Sequence, residues 1–162
     1  IFLDLTAHDN VALAVQAHAG HSFKFWKDAS KDHELRQPAL EYLQQVGLEN
    51  RAEVVAGQLS HGEHRQLEIA MALATRPKLL LLDEPMAGMG PKESIAMVEI
   101  LQELKGKLTI LLIEHDMDVV FTLADKITVL VNGRGIVTDS PEAIRKNPEV
   151  KAAYLGEENT DA

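Results

Sequence analysis

Residues 78–85 read KLLLLDEP, residues 108–116 read LTILLIEHD, and PKESIAMVEILQELKG runs between them from 91 to 106. Four leucines in succession leave no side chain suited to water. Such a run fits a strand buried on both faces, the setting that parallel sheets create. Pro91 opens a helical pattern, since its fixed φ and missing N–H suit a first helical position. LTILLI then repeats the apolar strand. Strand, helix and strand of the same kind make a β–α–β crossover, so the chain is expected to be α/β with a mostly parallel sheet. Ligands of such sheets gather at the carboxyl ends of the strands. Both strands end there in ionisable residues, Asp83-Glu84 and Glu114-His115-Asp116. Burying that many charged groups without a partner is costly, which marks this rim as the first candidate site.

Upstream, LSHGEHRQLEIAMALA (59–74) reads as a polar turn running into a helix. Ser60 is a good N-cap, and Glu63 three residues on completes a capping box. Leu67, Ile69, Ala70, Met71, Leu73 and Ala74 form the apolar side until Pro77 ends the helix. A capped helix accounts for the pattern by itself. The same helix start also offers orphan N–H groups and a positive end to an anion, a hydroxyl at Ser60, and room for close approach at Gly62.

The remaining chain falls on either side. TAHD (6–9) reads as a capping box opening a helix through NVALAVQAHA to Gly20. HSFKFWKDASKD (21–32) reads as a loop, with His21 and Trp26 as packing and Lys24, Lys27 and Lys31 as a solvated face. ELRQPALEYLQQVGL is a second helix with Leu40, Leu43 and Val46 on its apolar side and Gly47 as C-terminal cap. Downstream come a helix over MDVVFTLAD, a hairpin around Asn132-Gly133 in KITVLVNGRGIVTD, and short helices in SPEAIRKN and PEVKAAYL. The expected divisions are a helical region at 1–58, a core at 59–131, and a C-terminal hairpin with short helices at 132–162.

Composition narrows the classes. The 162 residues, 46% hydrophobic and 25% charged, suit one ordinary globular domain. A net charge of −9 without a Lys/Arg run argues against a nucleic-acid or anionic-lipid patch. No cysteine is present for a disulfide or thiolate site, and His8, His18, His21, His33, His61 and His64 show no zinc-ligand spacing. The longest apolar runs are too short to span a bilayer.

A strand-end Asp-Glu is a known device for phosphate chemistry: the Asp holds Mg²⁺, usually through water, and the Glu orients or deprotonates the attacking water. The ordered set LSHGE, LLLLDEP and a histidine closing the next strand resembles the ATP-binding cassette ATPases. LEIAMALA, DEPMAGMGPKE, LLIEHDMDVVF and AAYLGE are similar to the ATPases of branched-chain amino-acid importers. The resemblance implies a P-loop NTPase-type sheet with a helical subdomain. It implies Asp83 as the Walker B acid for Mg²⁺, Glu84 as catalytic base and His115 as the switch histidine at the γ-phosphate. Ser60, His61, Gly62 and Glu63 would be the signature turn, facing ATP held by the opposite subunit. The implied cofactors are ATP and Mg²⁺. The implied partners are a second ATPase subunit and transmembrane permease subunits docking on the helical region, with no nucleic acid, at the cytoplasmic face of the inner membrane. Two other readings stand beside this one. One is a non-catalytic interaction remnant; the other is a chromosome- or repair-type ATPase head, disfavoured by the absence of long coiled coils and basic faces.

The chain departs from the family pattern in four respects. His61 and Glu63 stand where the wider family has Gly and Gln, and Glu63 brings negative charge toward a triphosphate. Gly90 stands where an Asp is usual. No G-x-x-x-x-G-K-[ST] occurs, since Gly106-Lys107 is followed by Leu108. The P-loop, the Gln-containing loop and the adenine-stacking aromatic are therefore expected upstream of Ile1. That expectation makes this a cassette truncated at its N-terminus and inactive alone.

Overall fold

A computed structural model describes residues 1–19 and 33–155. The expectations for 21–32, and for the last residues of AAYLGE, lie outside the described residues. The chain divides into two compact units, Ile1–Ile113 and Glu114–Ala162.

The first unit begins with three helices, α1 (Ala7–Ala19), α2 (His33–Gln45) and α3 (His61–Ala74). Residues one helical turn apart supply the core: Ala7, Val11 and Val15 on α1, and Leu35, Ala39, Leu43 and the following Val46 on and after α2. Leu40, expected in that stripe, is instead exposed. Gly47 closes α2 in the left-handed region at φ 72°, where a Cβ would be strained. Half of the capping box at α1 forms. The Asp9 amide donates to Thr6 Oγ1 at 3.0 Å, while the Asp9 carboxylate is taken by Arg36 at 3.4 Å. Buried Asn10 ties the apolar opening of the chain to α1. Its Oδ1 accepts from the Phe2 amide at 2.7 Å, and its Nδ2 donates to the Phe2 and Thr6 carbonyls, each at 2.9 Å.

After α3 come β1 (Leu79–Asp83), α4 (Pro91–Leu104) and β2 (Thr109–Ile113). The strands pair in parallel, Leu79 opposite Thr109 through to Asp83 opposite Ile113, so both carboxyl ends meet at one end of the pair. Pro91 sits in the first turn of α4, and Met97, Ile100, Leu101 and Leu104 are its buried stripe. Burial on both strand faces is not observed. Leu79, Leu81, Leu111 and Ile113 are 51, 64, 56 and 54% exposed, while Leu80 is buried. The composition suits a two-sided sheet, but among the described residues only one face is covered.

The second unit holds α5 (Met117–Leu123), β3 (Ile127–Val131), β4 (Arg134–Asp139), α6 (Pro141–Lys146) and α7 (Pro148–Val150), continued by a π-helical stretch, Lys151–Leu155. β3 and β4 form the expected antiparallel hairpin. Asn132 and Gly133 have φ of 49° and 76°, the double left-handed pattern of the two-residue turn that matches strand twist. Ile127, Val129, Ile144 and Val150 form its core, and the Arg145 guanidinium lies 4.1 Å above the Phe121 ring centre. Ser140 and Asn147 cap the two helices that begin with prolines.

Candidate functional site

The turn before α3 is built by reciprocal capping. The Glu63 amide donates to Ser60 Oγ at 3.2 Å, and the Ser60 amide donates to Glu63 Oε2 at 2.8 Å. The other carboxylate oxygen of Glu63 meets Arg51 Nε at 2.8 Å. Arg51 closes the 3₁₀ turn Glu49–Arg51, so the charge that Glu63 adds to this turn is matched within the fold. His64 fixes the same region from the other side, with Nε2 at 2.6 Å from the Ala56 carbonyl.

The turn is docked on the start of α4. Ser60 Oγ donates to Glu93 Oε1 at 3.3 Å, and Glu93 Oε2 accepts from the Gly90 amide at 3.1 Å. A Cβ placed on Gly62 would stand 2.8 Å from both Cδ and Oε1 of Glu93. The room that glycine leaves at 62 is thus filled by a carboxylate. His61 Nε2 lies 3.1 Å from the Ala87 carbonyl, beside Gly88 with its φ of 75°. Ser60, Gly62, Glu63, Gln66, Lys92 and Glu93 line most of a cleft of about 370 Å³ here.

Asp83 and Glu84 stand at the end of β1, and both are exposed. Asp83 closes the strand. Glu84 has φ 44°, a left-handed conformation uncommon for a residue with a Cβ. Its amide donates to the Ile113 carbonyl at 2.9 Å, and its own carbonyl accepts from Ala87 at 3.0 Å. The strand pairing and the tight turn of 84–87 thus hold the strained residue from both sides. Among the described residues no group of three or more His, Cys, Asp or Glu could hold a metal by itself. Mg²⁺ does not ask for one, since it keeps several waters and takes one or two carboxylates besides phosphates. An exposed Asp at a strand end fits that demand.

His115 belongs to the second unit. Its side chain is 75% exposed, with Nδ1 3.9 Å from Oε2 of Glu114, whose side chain is only 2% exposed. Asp116, grouped with the rim by its sequence position, serves as the N-cap of α5, accepting from the Asp118 and Val119 amides at 3.0 and 3.2 Å. The first unit therefore brings Ser60, His61, Gly62 and Glu63 together with the start of α4, and carries Asp83 and Glu84 at its strand end.

Residues 1–87 match the ABC transporter family model. The chain belongs to the ABC transporter family. A second model, described as branched-chain amino acid ATP-binding cassette transporter, matches residues 136–159. Among curated ABC relatives, the high-affinity branched-chain amino acid transport ATP-binding protein BraF of Pseudomonas aeruginosa is 38% identical over 97% of this chain and 64% of its own. LivG of Escherichia coli, of the same description, is 45% identical over 74% of this chain and 48% of its own. This ABC chain thus spans between about half and two thirds of these relatives. The ADP conformation of MJ1267, described as an ATP-binding cassette of an ABC transporter, superposes with a TM-score of 0.74 at 29% identity, over 96% of this chain and 65% of that one. The α/β fold expected from the sequence is therefore that of the family.

Arg51 and Glu93 were not singled out from the sequence. A signal for Glu93 existed, because it stands three residues after Gly90 at a helix opened by Pro91, the spacing of a capping box. Arg51 meets Glu63 across a long-range fold and has no such local signal.

Proposed function

We propose that this chain serves in the ATP-hydrolysing subunit of an ABC importer for branched-chain or related amino acids. The observation that carries the reading is Glu84, a strained and exposed acid directly after the strand-end Asp83, in a chain of the ABC transporter family. Strain of this kind persists only where surrounding structure over-determines it, and it clusters at functional sites. The names of BraF and LivG support the solute class.

In this reading Asp83 holds Mg²⁺ through water, and the ion supplies positive charge to offset the phosphates. Glu84 orients the attacking water and accepts its proton. His115 contacts the γ-phosphate. Ser60 donates its hydroxyl, and the α3 N-terminus its free N–H groups, to ATP bound by a second subunit. The helical region at 1–58 faces permease subunits, which places the protein on the cytoplasmic side of the membrane. No helix among the described residues is long and apolar enough to cross it.

The test is complementation in the intact gene product. Ser60→Arg and Glu84→Gln subunits each hydrolyse no ATP alone. On mixing, one of the two composite sites in each heterodimer keeps both Ser60 and Glu84, so turnover reappears. Normal hydrolysis by Ser60→Arg alone would remove the signature assignment.

A further inference from the structure

We infer that Glu93 is a positioning residue of the signature turn: its carboxylate occupies the phosphate-facing side of Ser60 and Gly62 and must be displaced when nucleotide binds. This rests on the reading of Ser60 and Gly62 as phosphate contacts. A hydroxyl has one proton to give. Ser60 gives it to Glu93 Oε1 at 3.3 Å, while its oxygen already accepts from the Glu63 amide. Ser60 cannot donate to a phosphate and to Glu93 together. The space above Gly62 is contested in the same way, since the Glu93 carboxylate lies 2.8 Å from where a Cβ would stand.

Charge sharpens the competition. Glu63 is matched by Arg51, but Glu93 has no ion-pair partner among the described residues. Lys92 lines the same cleft without pairing to it. A negative group beside the α3 N-terminus is favoured there, just as a phosphate would be. Its other oxygen holds the Gly90 amide. Displacing Glu93 from Ser60 therefore acts on the loop that follows Glu84, which links the signature turn of a subunit to its own strand-end loop.

The test uses the intact gene product with hydrolysis blocked by Glu84→Gln, reading by sedimentation the Mg-ATP concentration that gives half-maximal dimer. Glu93→Gln keeps the shape and removes the charge. It should lower that concentration roughly three- to tenfold, the difference between a charge-assisted and a neutral hydrogen bond. Glu93→Asp keeps the charge and the cap of α4 but withdraws the carboxylate from Ser60, and should shift it in the same direction by less. Ser60→Ala should raise the concentration, and Glu93→Gln added to it should have a reduced effect. If Ser60→Ala raises the concentration while neither Glu93 variant lowers it, the role of Glu93 is overturned and the signature reading stands. A fall in melting temperature without that shift overturns the role of Glu93 in the same way. If Ser60→Ala changes nothing, the signature reading falls and the inference with it.

Discussion

Glu84 holds a conformation that costs an L-residue about 1–2 kcal/mol, because its Cβ crowds the adjacent carbonyl. Glycine would relieve that crowding and lose about 0.5–1 kcal/mol of it to the entropy of its freer unfolded chain. Glu84→Gly is therefore expected to leave stability unchanged or raise it by up to about 1.5 kcal/mol, while abolishing hydrolysis. Thermal unfolding and a phosphate-release assay measure the two effects. A clear loss of stability would mean that the Glu84 side chain serves the fold rather than the chemistry. That an acid stands here was legible in LLLLDEP, but many strands end in acids for solubility. It was the order of LSHGE, LLLLDEP and a strand-end histidine that singled out Glu84 as a candidate. Its backbone strain was not legible, since φ depends on the Ile113 carbonyl, 29 residues further along the chain, and on the 84–87 turn. Gly62 shows the opposite limit. The sequence offers its missing side chain to a ligand, whereas the fold spends it on Glu93.

At the scale of elements, α3 and α4 start from paired capping motifs that meet at Ser60 and Glu93. Local rules made both helices readable, because a cap, a proline and an apolar stripe all act within one or two turns. The stripe on α2 departs from expectation at Leu40, where spacing alone admits a neighbouring face and only packing against α1 and α3 selects Ala39 and Leu43. The Arg51–Glu63 pair is a long-range partner of the α3 cap. It is partly exposed, at 42 and 24% of the two side chains, so its direct contribution to stability is about 0.2–1 kcal/mol. Its larger effect is on charge. Arg51→Met should barely lower the melting temperature but should raise the Mg-ATP concentration needed for dimerisation in the Glu84→Gln background. Glu63→Gln should reverse that increase, because it removes the carboxylate that Arg51 had matched. An Arg51→Met protein with unaltered nucleotide dependence would contradict the compensating role of the pair.

At the scale of the molecule, the apolar sheet face sets the behaviour of the 162-residue chain by itself. Leu79, Leu81, Leu111 and Ile113 together present a contiguous hydrophobic surface on paired strands. Such surfaces promote association when they meet only water. The chain alone is expected to self-associate without nucleotide, and Leu81→Lys with Leu111→Lys should suppress this. Sedimentation across a concentration series decides it, and a monomer throughout in the unsubstituted chain would be the contrary result. These same four residues explain why the sheet's surroundings escaped the sequence: LLLL and LTILLI announce burial on two sides, but not which partner provides the second.

Catalysis by Glu84 is the central claim, and turnover of Glu84→Gln in the intact gene product tests it most directly. The carboxamide keeps the size of the side chain but cannot accept a proton from water. A positioned general base contributes about 10²–10⁴-fold, so ATP turnover should fall by at least about 10²-fold. Mg-ATP should still drive subunits together, and sedimentation should show a nucleotide-dependent dimer that persists. Turnover close to that of the unsubstituted protein would contradict the assignment of Glu84 as the base.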